Sequence, residues 1–328
     1  VAWFILWIII GILLCDLLVH LICSRLILRF FRKEPAFEIA ATTPDDCAEN
    51  VTFTTSDGLT LHGSWYRHVE EHPRGVIVFC HEFMGNRWLA MSYCEGLWEA
   101  GYDIFTFDYR NHGDSEVMHS YQPIHWLTDY ELDDTLSAIR YVNSQLVNSD
   151  LPIGIFGISR GATAALATAA RVPAIQHVVA DGAFSIDTLA VRYVYQWGRL
   201  FFPDWLIALA PRWHILLTLR LVRYISQKQF RCRYVMLERC LSVLRNKAVL
   251  LIAGECDSYV PPGISKELAK QIEPDGDLVW IAPNAKHNGA RRVNRMAYDQ
   301  KLLSQFTSMQ GSQPVILDQL EKIAFPTG

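Results

Sequence analysis

Ile153-Gly154-Ile155-Phe156-Gly157-Ile158-Ser159-Arg160-Gly161-Ala162 carries an apolar run through a glycine-flanked serine into a helix-forming run that reaches Arg171. The apolar part suits a strand buried on both faces. A strand that turns at once into a helix forces its corner residue into a strained backbone, and the neighbours must be minimal for the turn to close. Gly157 and Gly161 meet that need. Such a corner presents the Ser159 hydroxyl at the carboxyl end of a parallel sheet and aims the amide N–H of Arg160 at the same point, so a nucleophile and an oxyanion donor arrive together.

A serine hydroxyl at neutral pH needs a base within reach and a third group to orient that base. Downstream, the buried-type run Ala248-Val249-Leu250-Leu251-Ile252-Ala253 ends in Gly254-Glu255-Cys256-Asp257, which places Asp257 just past a strand's carboxyl end. The next run, Leu278-Val279-Trp280-Ile281, is followed after a short loop by Lys286-His287-Asn288-Gly289. Glu255 is the rival acid, but side chains alternate over a two-residue step, which favours Asp257.

The glycine-flanked serine and the order Ser159, Asp257, His287 resemble the α/β-hydrolase superfamily, in particular its membrane-anchored, peptidase-like and esterase members. The likeness runs from about residue 50 to residue 307. It implies an α/β fold with a mostly parallel eight-stranded sheet, helices on both faces, a helical cap insertion and an N-terminal transmembrane helix. It also implies that Ser159 is the nucleophile, His287 the base and then the acid, and Asp257 the residue that orients the imidazole. The reaction implied is cleavage of a carboxylic ester, of an acyl or lipid-like substrate, through an acyl-enzyme and without metal or organic cofactor. A thioesterase, amidase or peptidase would use the same three residues. A noncatalytic membrane scaffold on the same fold is the reading from another class, although all three residues are present.

After the run Val76-Ile77-Val78-Phe79-Cys80 comes His81-Glu82-Phe83-Met84-Gly85-Asn86-Arg87. Its position matches the superfamily's His-Gly loop, which makes the backbone N–H of Phe83 the second oxyanion donor beside that of Arg160. Glu82 departs from the pattern, since glycine is usual there. A carboxylate so placed opposes the charge that develops on the oxyanion, and pairing of Glu82 with Arg160 or Arg87 is expected; the alternative is that it points into solvent. His112, in Asp108-Tyr109-Arg110-Asn111-His112-Gly113-Asp114-Ser115, resembles a structural histidine of the superfamily. His62, His68, His72, His119 and His125 have no motif around them and read as surface or packing residues. No histidine and carboxylate stand at metal-ligand spacing.

The 328 residues, 51% of them hydrophobic, are enough for one large α/β domain and an appendage. Residues 1–24 are apolar apart from Asp16 and His20, a length that suits a membrane anchor. Without a basic start or a small-residue cleavage site, this segment reads as retained rather than as a signal peptide. Arg25, Arg29, Arg32 and Lys33 follow it, so the hydrolase domain is expected on the cytoplasmic side. Residues 25–49 read as a juxtamembrane linker and 50–328 as the hydrolase domain. The eight cysteines show no disulfide or zinc spacing, in keeping with a reducing compartment.

Strands and helices then alternate. A hairpin of Val51 to Thr55 and Leu59 to Tyr66 opens the domain, and the helix Trp126 to Asn143 precedes the serine strand. Asp129, Glu131, Asp133 and Asp134 on that helix read as a solvated face, and Asp181-Gly182 as a possible edge of the site. The cap insertion at 190–247 is aromatic and basic, with arginines from Arg192 to Arg245. It reads as amphipathic helices, with contact to an anionic membrane surface as the sharper reading. A net charge of −4 argues against a nucleic-acid partner.

Overall fold

The computed structural model describes residues 2–32, 42–68, 72–146, 151–199, 203, 205 and 212–309. The chain divides into two units, one of Val1–Ala36 with Asp187–Tyr234 and one of Phe37–Ile186 with Val235–Gly328. In the first unit α1 (Ala2–Arg32) is apolar around most of its circumference and almost wholly exposed, with His20, Ser24 and Leu28 forming a buried stripe at four-residue spacing.

The second unit is built on an eight-stranded sheet. A hairpin of β1 (Glu49–Thr54) and β2 (Thr60–Tyr66) begins it, turned by Gly58 at φ 91°. There follow β3 (Val76–Cys80), α2 (Ala90–Glu99), β4 (Asp103–Phe107), α3 (Asp129–Gln145), β5 (Ile153–Ile158), α4 (Arg160–Ala169) and β6 (His177–Asp181). The chain then enters α5 (Ile186–Gly198) and α6 (Arg212–Phe230), and returns with β7 (Ala248–Gly254), α7 (Pro262–Ile272), β8 (Val279–Ala282), α8 (Ala290–Val293) and α9 (Arg295–Thr307). The strand order is β1-β2-β4-β3-β5-β6-β7-β8; β1, β2 and β4 pair antiparallel and every other neighbour pairs parallel.

Every residue of β3, β4, β5 and β6 is buried, which is why β3 and β5 read as unbroken apolar runs, while β4 and β6 carry polar residues (Asp103, Thr106, His177, Asp181) that are buried too. Ile77, Phe79, Phe156, Ile158, Val179 and Ile252 point to one face and pack with Tyr93 and Leu97 of α2 and Tyr298, Leu302 and Phe306 of α9. The helices α3 and α4 belong to the opposite face.

Thr128 starts α3 through a capping box: its side chain accepts from the helix backbone while Glu131 accepts from the Thr128 N–H at 3.1 Å. The expected solvated acidic face is not there. Glu131, Asp133 and Asp134 are buried. Asp134 accepts from Arg110 Nε at 2.8 Å and Nη2 at 2.6 Å, and Asp133 from Arg110 Nη2 at 3.3 Å. A cation from a loop, twenty-odd positions earlier, neutralises charges that the helix alone would leave to solvent.

After β6, Asp187–Tyr234 group with the first unit. Residues from Val235 on belong with the sheet, where Val235 N donates to Leu127 O and short 3₁₀ turns lead to β7.

Candidate active site

Ser159 sits between β5 and α4 at φ 54° and ψ −116°, outside the regions open to most side chains. Its N–H donates to Asp181 O at the end of β6 at 2.7 Å, which pins the corner to the neighbouring strand. A Cβ on Gly157 would run into the Gly161 carbonyl, and one on Gly161 into the Cys80 and His81 carbonyls. The corner therefore closes only with glycine at both places, and α4 begins hard against the chain that leaves β3.

Asp257 follows β7 and His287 lies in the loop between β8 and α8. The Ser159 Oγ is 2.9 Å from His287 Nε2, and His287 Nδ1 is 2.6 Å from Asp257 Oδ2. The other oxygen, Asp257 Oδ1, accepts from the Tyr259 and Val260 N–H groups, each at 2.8 Å. With the carboxylate held by two amides, Nδ1–H is the donor to Asp257 and Nε2 is the acceptor for the serine hydroxyl. Glu255 is turned away, its Oε2 accepting from Asn284 N at 2.9 Å.

The loop after β3 is fixed by His81. This buried imidazole donates from Nδ1 to Glu82 O at 2.7 Å, and the same carbonyl accepts from Gly85 N at 3.0 Å. Glu82 O and Phe83 N belong to one peptide, so anchoring the carbonyl sets the direction of the Phe83 N–H. Among the described residues, no acceptor is seen for the Phe83 N–H or the Arg160 N–H.

Glu82 pairs with neither arginine and does not reach solvent. It is 3% exposed, with Oε1 accepting from Tyr93 OH at 3.5 Å and Oε2 without a partner among the described residues. Burial raises its pKa to about 7. The Arg160 guanidinium is committed elsewhere: Nη1 donates to Ile124 O at 3.0 Å and reaches Glu131 Oε1 at 3.4 Å, while Nη2 donates to His112 Nε2 at 3.1 Å. Arg87 is bound to Asp108 and Asp114. Two short reaches explain the difference: α3 brings Glu131 beneath Arg160, and the β4 loop brings Asp108 beneath Arg87.

His112 donates from Nδ1 to Arg110 O at 2.8 Å and is held neutral by burial and by the Arg160 charge, as a structural histidine should be. Several neighbours of the site carry no motif. Asp181 Oδ2 accepts from Tyr298 OH at 2.9 Å, and burial raises its pKa to about 7. Gly182 lies against the His287 ring, close enough that a Cβ would meet Cε1 at 3.1 Å. Tyr259 packs on the His287 ring at 5.0 Å between centroids, with Phe184, His125 and Trp126 continuing the same aromatic wall. Only the strand ends marked Asp257 and His287 in the sequence; the phenols sit within helices and loops, where aromatic residues look like ordinary core.

Comparison with known proteins agrees with this architecture. The family profile described as alpha/beta hydrolase fold matches residues 75–213. The uncharacterised protein YfhR of Salmonella typhimurium is 31% identical over 137 residues, 40% of this chain and 44% of that protein, so the match spans less than half of the relative's length. The uncharacterised protein YqkD of Bacillus subtilis is 27% identical over 73% of each chain. Among solved structures, the Pyrococcus furiosus esterase Pf2001 superposes with a TM-score of 0.60 at 20% identity, covering 85% of this chain and 98% of that one. Est1E of Butyrivibrio proteoclasticus, solved with ferulic acid bound, gives 0.56 at 16% identity, covering 78% of this chain and all of its own (100%).

Proposed function

The chain has the α/β-hydrolase fold, and on that premise we propose that it is a serine hydrolase cleaving a carboxylic ester with an acyl or lipid-like part. The observation that carries the reading is the continuous hydrogen-bonded line Ser159, His287, Asp257 at 2.9 and 2.6 Å, ending on a serine held at positive φ.

His287 Nε2 takes the Ser159 proton as Oγ attacks the ester carbonyl. Asp257, fixed by two amides, keeps the imidazole in the tautomer that can accept, and stabilises the imidazolium that forms. The carbonyl oxygen gains negative charge between the N–H groups of Phe83 and Arg160. His287 then gives its proton to the departing alcohol, and later activates the water that releases the acid from Ser159.

Glu82 fits this scheme through its protonation. Buried without a cationic partner, it holds its proton to about pH 7, so below that pH no carboxylate charge stands behind the oxyanion loop. The aromatic wall of Tyr259, Phe184 and Trp126 supports an apolar acyl or aryl group on the substrate. Esterases among the similar structures favour ester over thioester or amide.

A fluorophosphonate probe tests the reading on detergent-solubilised protein. Labelling is expected in the wild type and lost in Ser159→Ala and His287→Ala, followed by turnover of short and long acyl esters. A folded wild type that takes no label would leave the noncatalytic scaffold as the reading to pursue.

A further inference from the structure

In the first unit, α1 carries Asp16 and His20 four residues apart, and α6 carries His214 and Thr218 four residues apart, so each pair stands on one helix face. The two faces meet. His214 Nε2 lies 2.8 Å from Asp16 Oδ1, His20 Nδ1 lies 2.7 Å from Thr218 Oγ1, and the two imidazoles stack with centroids 4.2 Å apart.

The hydroxyl assigns the tautomer of His20. Thr218 Oγ1 donates its proton to His214 O at 3.3 Å, which leaves its oxygen to accept from His20 Nδ1–H. His20 Nε2 then bears a lone pair. Among the described residues that nitrogen has no hydrogen-bond partner, in a residue only 6% exposed, and it faces Asp16 Oδ2 at 3.5 Å. A lone pair turned toward a carboxylate oxygen is repulsive unless a cation lies between them. A proton there makes an imidazolium stacked on a second imidazole, a poor arrangement if that ring also gains charge. A metal ion satisfies all three groups together.

We infer that Asp16, His20 and His214 form a binding site for a divalent transition-metal ion, zinc by the chemistry of the donors. The candidate ligand atoms all lie within 4.8 Å of one another. Two imidazoles and a carboxylate are a set that zinc takes, at bond lengths of about 2.0–2.2 Å, with a fourth position left for water or an exchangeable ligand. Thr218 is the group that orients His20 by holding Nδ1–H, as partners of ligating histidines do. Bound metal would clip α1 to α6 inside this unit. Asp16 and His20, four positions apart on α1, do stand at a spacing that can ligate, contrary to the expectation from the sequence; the third ligand lies 198 positions from Asp16, so no complete motif shows along the chain.

The test uses the full chain in detergent, with any affinity tag removed and bound metals stripped by chelator. Titration with Co²⁺ should give one equivalent per chain with the visible absorption of a tetrahedral site, and Zn²⁺ should displace it. His20→Ala, His214→Ala and Asp16→Ala should each abolish the signal. Thr218→Val keeps every ligand and should weaken binding by about 10-fold or more. Fluorophosphonate labelling and helical circular dichroism show whether each variant is folded, independently of metal. Absence of one-to-one Co²⁺ binding in the folded wild type, or equal binding in the three alanine variants, overturns the inference.

Discussion

His81 and Glu82 show how single residues shape the site without touching the reacting atoms. His81 fixes the Glu82–Phe83 peptide through the Glu82 carbonyl, at 2.7 Å. Removal of a direct oxyanion donor costs about 10²–10³ in kcat. His81→Ala only loosens the peptide that bears the proposed donor Phe83 N–H, so a fall of about 10- to 100-fold in kcat with little change in KM is expected; steady-state kinetics on the preferred ester checks it. Glu82 bears on stability with a definite sign. Its folded pKa of about 7 lies above the ordinary 4.5, so the folded chain holds a proton that the unfolded chain has lost over that interval. Stability from this group is therefore greatest below about pH 4.5, falls as pH rises to about 7, and is level beyond. The drop is on the order of 3 kcal/mol at 1.36 kcal/mol per unit. Asp181 adds a change of the same sign. In Glu82→Gln the loss of stability between pH 5 and pH 8.5, read from urea midpoints, should be visibly smaller than in the wild type. Parallel curves for the two proteins would mean that Glu82 is ionised or solvated throughout.

At the scale of elements, the fold was legible wherever burial writes itself as a plain pattern. The runs Val76 to Cys80 and Ala248 to Ala253 become β3 and β7 within a residue, because strands covered on both faces must be apolar throughout. The serine corner was legible because only glycine fits beside it. What stayed hidden depends on distant partners: nothing near Asp134 announces Arg110, nothing near Arg160 announces His112 and Glu131, and nothing near Glu82 announces Tyr93. Helix α4 offers another such case. Its carboxyl end and the turn beyond it are held by Lys247, whose Nζ donates to the Ala169, Val172 and Ile175 carbonyls at 2.8, 2.9 and 2.7 Å. A cation there satisfies carbonyls that a helix end leaves open and suits the local dipole. Burial lowers its pKa to about 8. Lys247→Met keeps the stem but takes the donor from the Ala169 and Ile175 carbonyls, Val172 O still accepting from Ile175 N, and a loss of about 1–3 kcal/mol in unfolding free energy is expected. Because the serine lies at the other end of α4, turnover per folded molecule should change little.

For the molecule as a whole, the question is what surrounds α1. The span Trp3–Arg29 covers 27 residues, or about 40 Å of helix at 1.5 Å per residue, against roughly 30 Å of bilayer hydrocarbon. Trp3, Phe4, Trp7, Ile12, Leu13 and Leu17 are exposed, an arrangement suited to lipid and costly in water. The buried stripe of His20, Ser24 and Leu28 lies instead in the second half, and it is there that Asp16 and His20 find partners on α6. We propose that the apolar face of α1 meets lipid along its length, while the stripe of His20, Ser24 and Leu28 is covered by protein and Asp16 is partnered by His214. With Arg25 and Arg29 exposed at the carboxyl flank, we propose by the positive-inside rule that the hydrolase unit lies on the cytoplasmic side. Cys47 and Cys256 report on this directly, since both belong to that unit and both are exposed. A membrane-impermeant maleimide added to intact cells should leave them unlabelled, and should label both once the membrane is permeabilised, in protein that alkaline carbonate does not extract. Labelling of Cys256 in intact cells would put the active site outside. Carbonate-extractable protein whose mass lacks the first 24 residues would mean that the apolar helix had served as a cleaved signal, and the polar seam between α1 and α6 would then be absent from the mature enzyme.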